Sequence, residues 1–158
     1  MLKVPETILD YNPNLKDCVL FDLDNTLAYH AKRQWFEWEK ILTDWCDPRY
    51  VKFVNIFKNA GVHVIFFTGR PKKIAEDLTK QWLEMYFGKM INEDGTKNWD
   101  LVLADCDNLR GADSKCFTYN QNIKDKYNVI CSFDDSQSCV EMWRNLGILT
   151  LQTNNGMK

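Results

Sequence analysis

Three signals that would classify a protein quickly are missing from this sequence. The six cysteines never form a C-x-x-C pair, so a structural zinc site or a thioredoxin-like redox motif has no support. The net charge of -2 and the isoelectric point near 5.7 exclude a global basic field that would bind nucleic acid by charge alone. Any site for a polyanion must therefore be local.

The third missing signal is a long apolar run. The N-terminal stretch MLKVPETILDYNPN has no apolar core and no small-residue cleavage site, so it does not resemble a secretory signal. No run of about 18 apolar residues is present that could span a membrane. We therefore expect a cytoplasmic protein with unpaired cysteines and no membrane association, and the sequence indicates no protein partner.

What the sequence does contain is the composition of one ordinary globular domain. Its 158 residues are 45% hydrophobic and 27% charged. A chain of this length has room for a single compact core. We expect one domain over residues 1–158, with a short N-terminal extension over residues 1–16.

Five short apolar runs alternate with segments of helical periodicity. They are CVLF at 18–21, VHVIFF at 62–67, LVLA at 101–104, VICSF at 129–133 and ILTL at 148–151. Such runs are typical of strands buried on both faces of a parallel sheet. The helical segments lie at 51–57, 74–82, 116–127 and 140–146, and the polar stretch 88–100 favours a loop or small hairpin. The sequence therefore predicts an α/β sandwich around a mainly parallel five-stranded sheet.

Polar residues follow four of these apolar runs. In an open parallel sheet, the ligand crevice lies beyond the carboxyl ends of the strands, so we expect these residues to gather at one edge. Run by run they are Asp22 and Asp24, then Thr68, Gly69 and Arg70, then Asp105, and finally Asp134 and Asp135.

Four of these carboxylates, from Asp22, Asp24, Asp134 and Asp135, would repel one another unless a cation lay between them. A single strand-end aspartate can instead cap a helix or begin a turn, but two pairs at matching strand ends favour a metal. Mg²⁺ prefers oxygen ligands and bridges to substrate phosphates, which suits a carboxylate site with no histidine or cysteine nearby. We therefore predict a Mg²⁺ site at these four residues.

The stretch FDLDNTLA at 21–28 resembles the D-x-D-x-T motif of the haloacid dehalogenase (HAD) superfamily, with Thr26 in place. Thr68 after the second strand, a later lysine and the Asp134–Asp135 pair match the remaining motifs in order. The resemblance implies a HAD-like Rossmannoid three-layer sandwich and a phosphatase.

The same resemblance implies a mechanism through an aspartyl-phosphate. Asp22 would be the nucleophile, and Asp24 would protonate the leaving oxygen and then activate water. The main-chain carbonyl of Asp24 would ligate Mg²⁺, and Thr68 would donate a hydrogen bond to the phosphoryl oxygens.

Three lysines could supply the positive charge that the superfamily places near the nucleophile, and each could instead be a solvated helix residue. Lys115 lies at the predicted start of the helix before strand four, on the carboxyl edge of the sheet. Lys124 and Lys126 lie roughly 14 to 17 Å farther along, at about 1.5 Å per residue. We therefore predict Lys115 as the catalytic lysine.

The stretch DDSQSCVEMWRNLG at 134–147 resembles the last motif of the 3′-phosphatase domain of phage polynucleotide kinase-phosphatase. Arg33 matches an arginine of that family after the D-x-D motif, Gly69–Arg70 match its Gly-Arg pair, and the spacing of Lys115 agrees. The family's acidic residue before the lysine is replaced by Gly111, and Asp113 is the nearest acid, so its contribution as a substrate-binding residue is open. A phage-encoded protein would act in the host cytoplasm.

No G-x-x-x-x-G-K-[ST] loop is present, so the resemblance implies a phosphatase without kinase activity. The span between Asp22 and Thr68 is too short for a large cap domain, and an open site suits a macromolecular end. The favoured substrate is thus a DNA or RNA 3′-phosphate. The alternatives are a phosphatase of free nucleotides or other small phosphoesters, and a non-catalytic binding module with the same fold.

Two further features remain open between function and packing. Arg33 and Arg70 could form planar forks on phosphate oxygens, or they could form salt bridges with nearby acids. Trp35, Phe36 and Trp38 could stack on a terminal base, or they could pack the start of the next helix.

Overall fold

The computed structural model describes residues 11–30 and 32–153. The strands and helices in chain order are β1 (Lys16–Phe21), β2 (Ala28–Tyr29), a 3-10 helix (Trp38–Thr43), β3 (Trp45–Cys46), α1 (Pro48–Asn59), β4 (His63–Thr68), α2 (Lys72–Phe87), β5 (Asp100–Leu103), α3 (Gly111–Asn122), β6 (Tyr127–Asp134), α4 (Gln137–Asn145) and β7 (Thr150–Gln152). Five strands form one sheet in the order β5-β4-β1-β6-β7. All four pairings in this sheet are parallel.

The two faces of the sheet carry separate hydrophobic cores, because successive side chains of a strand point to opposite faces. On one face, Val19 and Phe21 of β1 pack with residues of α1 and α2 such as Val54 and Trp82. On the other face, Cys18 and Leu20 pack with Tyr119 of α3 and Trp143 of α4. The predicted three-layer α/β sandwich with a parallel five-stranded sheet is therefore confirmed.

Several boundaries differ from the sequence-based expectation. The third predicted helix ends before Tyr127, which pairs with Lys16 as the first residue of β6. The apolar spacing continues past the end of the helix because Ile123, which caps α3, and Tyr127 of β6 both contact the same hydrophobic cluster. The polar stretch 88–100 contains an antiparallel bridge between Ile91 and Lys97, as a small hairpin requires.

The segment between β1 and α1 is short. It contains the antiparallel pair β2–β3 and the 3-10 helix, which are too brief to leave a periodic signal in the sequence. Within the described residues, no large cap domain covers the carboxyl edge of the sheet.

Residues 1–10 of the predicted N-terminal extension lie outside the part of the chain that the structure describes. The last residues of the extension are hydrogen-bonded to β6, since the side-chain amide of Asn128 donates to the carbonyls of Asn12 (2.9 Å) and Leu15 (3.1 Å). Among the described residues, none of the helices is long and apolar enough to cross a membrane.

Candidate active site

A tight turn follows β1 and positions the two aspartates of the D-x-D motif. The amide of Asp22 donates to the Phe133 carbonyl at 2.9 Å, which continues the ladder to β6. The Leu23 carbonyl then accepts from the amides of Leu27 (2.9 Å) and Ala28 (2.7 Å). Asn25 closes the turn with φ of 62°, a left-handed conformation that asparagine tolerates better than most residues.

Lys115 joins the first and last motifs. Its Nζ donates to Asp22 Oδ1 and to Asp134 Oδ2, each at 2.7 Å. Asp134 Oδ2 also accepts from the indole nitrogen of Trp143 at 3.1 Å, and its Oδ1 accepts from the Ser136 amide at 3.2 Å. Because all three charged side chains are buried, these bonds hold the nucleophile candidate against the last strand of the site.

The same cluster carries an excess of negative charge. Carboxylate oxygens of Asp22, Asp134 and Asp135 all lie within 4.8 Å of one another, and Lys115 forms ion pairs with the first two. Burial raises the pKa of Asp22 to about 7, with Asp134 adding to the rise and Lys115 opposing it. Burial and the Asp134 carboxylate also raise the pKa of Asp135. A group of oxygen donors with unbalanced charge fits a hard divalent cation.

Asp24 belongs to a different network. Arg70 binds its carboxylate as a fork, with Nε to Oδ2 at 2.9 Å and Nη2 to Oδ1 at 2.8 Å. Oδ1 also contacts His30 Nε2 at 2.7 Å and accepts from Arg33 Nη2 at 3.3 Å. Burial alone would raise the pKa of Asp24, but the Arg70 charge and the His30 contact outweigh it and hold this pKa well below its usual range.

Asp44 is the second carboxylate of this network. It accepts from Arg33 Nε and Nη2, each at 2.7 Å, and from Arg70 Nη2 at 3.3 Å. Two carboxylates thus face two guanidinium groups, so this half of the site needs no metal ion for charge balance. Of the four aspartates expected at the metal, the side chain of Asp24 lies with the arginines and the other three lie together.

The end of β4 provides the hydroxyl of Thr68 and open space beside Gly69. Thr68 is fully buried, and its Oγ1 lies 3.5 Å from Asp24 Oδ2 while accepting from the Arg70 amide at 3.3 Å. At Gly69, a Cβ atom would meet nothing within 4 Å. The main chain at Gly69 is therefore accessible to a group bound above Thr68.

Two of the predicted acids lie apart from these networks. Asp113 is exposed in the first turn of α3 and forms no ion pair within the described part of the chain. Asp105 accepts from the Lys72 amide at 2.7 Å, so it satisfies a free N–H group in the first turn of α2. Arg33 and Arg70 have fully buried side chains that are bonded to aspartates.

Sequence reasoning missed three contributors to the site. His30 and Asp44 lie in the segment around β2 and β3, where no periodic pattern indicated structure, and His30 contradicts the expectation that no histidine lies near the acids. Thr79 accepts from Arg70 Nη1 at 3.1 Å. A hydroxyl at a helix position that should be apolar was the available signal, since Thr79 lies on the buried face of α2.

The three aromatic residues after Arg33 divide into two groups. Trp38 packs against the core, with the Arg33 guanidinium carbon 5.2 Å from its ring centroid. Trp35 and Phe36 remain 68% and 57% exposed. Packing at the next helix therefore accounts for Trp38 alone.

Comparison with known proteins agrees with this site. The sequence profile of the polynucleotide kinase PNKP phosphatase domain matches residues 16–157. A curated protein of Autographa californica nuclear polyhedrosis virus, described as a bifunctional polynucleotide kinase/RNA ligase, is 30% identical over 141 residues. That alignment covers 84% of this chain and 18% of the viral protein.

Solved structures with the same fold include a chain of the Pnkp1/Rnl/Hen1 RNA repair complex, with a TM-score of 0.81 and 25% identity over all of this chain and 49% of that one. The class C acid phosphatase from Bacillus anthracis is more distant, with a TM-score of 0.63 and 16% identity over 91% of this chain and 68% of that one. This chain thus spans less than a fifth of the curated viral relative and about half of the chain in the repair complex.

The profile match covers the D-x-D turn, Thr68, Lys115 and the last acidic pair. The chain therefore belongs to the polynucleotide kinase PNKP phosphatase domain family, a family of HAD-type phosphatases.

Proposed function

We propose that this protein is a Mg²⁺-dependent 3′-phosphatase of DNA or RNA ends that acts through an aspartyl-phosphate on Asp22. The observation that carries the proposal is the double contact of Lys115 with Asp22 and Asp134. A buried carboxylate held by a lysine at the open end of a parallel sheet is a suitable nucleophile for a phosphoryl group.

The residues present fit a magnesium ion. Asp22, Asp134 and Asp135 would hold it with their carboxylates, and Asp24 would contribute its main-chain carbonyl, since its side chain is bound by Arg70. When bound, Mg²⁺ would neutralise charge on the phosphoryl group and keep Asp22 ionised.

Asp22 and Lys115 perform the first half of the reaction. An oxygen of the Asp22 carboxylate attacks phosphorus, the bond between phosphorus and the ester oxygen breaks, and the sugar hydroxyl leaves. Lys115 keeps Asp22 oriented and offsets the negative charge of the phosphoryl oxygens, which the Thr68 hydroxyl and the open main chain at Gly69 would also contact.

Asp24 moves the proton in both halves. Its ionised state suits the second step, in which it takes a proton from the water that attacks the aspartyl-phosphate. In the first step it must donate a proton to the leaving oxygen, so it must first take one up from water or from the substrate's phosphate. A phosphate dianion arriving beside it raises its pKa, because like charges disfavour the ionised form.

Arg33 and Arg70 control this proton carrier in our proposal. The sequence left open whether they bind substrate phosphate or pair with nearby acids, and both guanidinium groups are buried on Asp24 and Asp44. These contacts support a role for both arginines in positioning Asp24. The substrate phosphate would then lie next to the Arg70 guanidinium rather than between its two donors. Asp113, exposed on α3, would contact the substrate outside the buried site.

The open carboxyl edge supports a polynucleotide end as substrate, because no large cap in the described part of the chain would seal a small metabolite from water. The family and the viral relative point the same way. The structural relative belongs to a complex with other proteins, so we assign this chain neither a protein partner nor the lack of one.

The test compares phosphate release from oligonucleotides that carry a 3′-phosphate or a 5′-phosphate and from mononucleotides, with Mg²⁺ and with EDTA. We expect turnover of the 3′-phosphate to be fastest and to require Mg²⁺. The Asp22→Asn variant should be inactive with an unchanged circular dichroism spectrum. Faster turnover of mononucleotides would favour the small-phosphoester alternative, and activity in the variant would refute the mechanism.

A further inference from the structure

Two exposed aromatic side chains, Trp35 and Phe36, closely follow Arg33, whose guanidinium hydrogen-bonds to the active-site aspartates. Trp35 and Phe36 are 68% and 57% exposed, whereas Trp82, Trp99 and Trp143 are fully buried. Their ring centroids lie 5.6 Å apart with an interplanar angle of 88°, the edge-to-face geometry that aromatic pairs favour. Packing within the described chain does not explain why two large apolar rings stay in solvent at this position.

The main chain that carries these rings is linked to the Asp24 carboxylate through hydrogen bonds of Arg33. Arg33 Nη1 donates to the carbonyls of Gln34 (3.3 Å) and Trp35 (3.1 Å), while Nη2 of the same guanidinium donates to Asp24 (3.3 Å) and Asp44 (2.7 Å). The Gln34 amide donates to Glu37 at 2.8 Å. The buried guanidinium of Arg33 thus lies between the aromatic pair and Asp24, and it is hydrogen-bonded to the main chain of the pair and to the Asp24 carboxylate.

We propose that Trp35 and Phe36 form a stacking platform for the unpaired base at the phosphate-bearing end of the substrate strand. This inference rests on the proposed 3′-phosphatase function and extends it to single-stranded ends. A nucleotide whose phosphate lies beside Asp24 carries its base one sugar away, and the Arg33 guanidinium hydrogen-bonds both to Asp24 and to the main chain of Trp35. Any base can stack on an aromatic ring, so the platform would bind without sequence preference.

The platform accounts for affinity at a site with little basic charge. A protein with net charge -2 has no global basic field to hold a strand, so its phosphate contacts must be local. Stacking supplies an attraction that is less sensitive to salt, and a preformed aromatic pair loses little freedom on binding. We therefore expect the terminal base to lower KM without entering the chemical step.

The experiment measures the base preference, defined as the ratio of kcat/KM for a single-stranded 3′-phosphate oligonucleotide to kcat/KM for the same strand with an abasic terminal residue. The wild type should show a preference of about five- to a hundredfold, the size expected for one stacked base. Trp35→Ala should abolish most of it through KM, and Phe36→Ala part of it. Trp35→Phe should retain it, because a ring remains.

The matched control is Tyr11→Ala, which removes a ring that is 60% exposed before β1, at the opposite end of the strand from Asp22. It should keep the wild-type preference. Equal preference in the wild type and Trp35→Ala would overturn the platform, and so would a Trp35→Phe variant that behaves like Trp35→Ala. A wild type that leaves 3′-phosphate oligonucleotides intact but hydrolyses glycerol phosphate would overturn the proposed function itself.

Discussion

Arg70 binds Asp24 with both ends of its guanidinium fork, at 2.9 Å from Nε and 2.8 Å from Nη2. The two residues lie 46 positions apart, at the ends of neighbouring strands. This contact lowers the pKa of a carboxylate that burial would otherwise raise. The fork therefore determines both the orientation and the protonation of the proposed acid and base.

Arg70→Lys should lower kcat by about two orders of magnitude, because lysine keeps the charge but cannot form the planar fork that orients Asp24. It should also reduce the free energy of unfolding by about 1 to 3 kcal/mol, since Thr79 and Asp44 lose a donor. Phosphate release and urea unfolding measure the two effects. Lys80→Arg, at the partly exposed pair with Glu76, is the matched control and should change neither. Full kcat in Arg70→Lys would refute the positioning role.

Lys115→Met should abolish phosphate release and lower the free energy of unfolding by about 3 to 5 kcal/mol in EDTA, because it leaves buried carboxylates without their cation. Adding Asp134→Asn should recover part of the stability and none of the activity. Urea titrations of the two single variants and the double variant measure this coupling. Additive losses of stability would show that the lysine acts independently of Asp134.

Magnesium should raise the melting temperature of the wild type. A ligand at 100 times its Kd stabilises the folded state by about 2.7 kcal/mol, which corresponds to roughly 5 to 11 °C for a chain of this length. Asp135→Asn should remove most of this shift, since Asp135 shares the acidic cluster with Asp22 and Asp134. Asp107→Asn, an exposed acid before α3, should keep it; an undiminished shift in Asp135→Asn would exclude that residue as a ligand.

Asp100, the first residue of β5, should make the free energy of unfolding depend on pH in the acid range. Burial would raise its pKa, but hydrogen bonds from His63 (2.7 Å) and the ion pair with Lys97 (2.6 Å) lower it from 3.8 to about 2. Because the folded pKa is depressed, this contribution is present above about pH 4 and is lost as the pH falls through 2.

Asp100→Asn should therefore be less stable than the wild type at pH 6, and the gap should narrow between pH 4 and pH 2. Urea midpoints at pH 6, 4 and 3 measure this trend. Glu93→Gln removes an exposed carboxylate in the preceding hairpin and should follow the wild-type curve. A constant gap at all pH values would show that the substitution acts through packing rather than through charge.

The strand-end residues could be predicted from the sequence because parallel strands deliver their carboxyl ends to one edge of the sheet. Asp22, Thr68 and Asp134 therefore share a site whatever the details of packing. The spacing before β6 likewise places Lys115 near the start of a helix, which begins at Gly111. The roles of His30 and Asp44 could not be predicted, because β2, β3 and the 3-10 helix are too short to leave a periodic pattern.

The amino-acid sequence by itself thus determined the layered fold and the residues at its active edge, through local patterns that repeat along the chain. The tertiary structure alone decided how the arginine charges are divided: Arg33 and Arg70 pair with Asp24 and Asp44, whereas the predicted lysine, Lys115, bonds to Asp22, 93 positions away. It also decided that Trp38 is packed while Trp35 and Phe36 stay in solvent. Such pairings depend on which helices and loops meet above the sheet, and no local pattern records that.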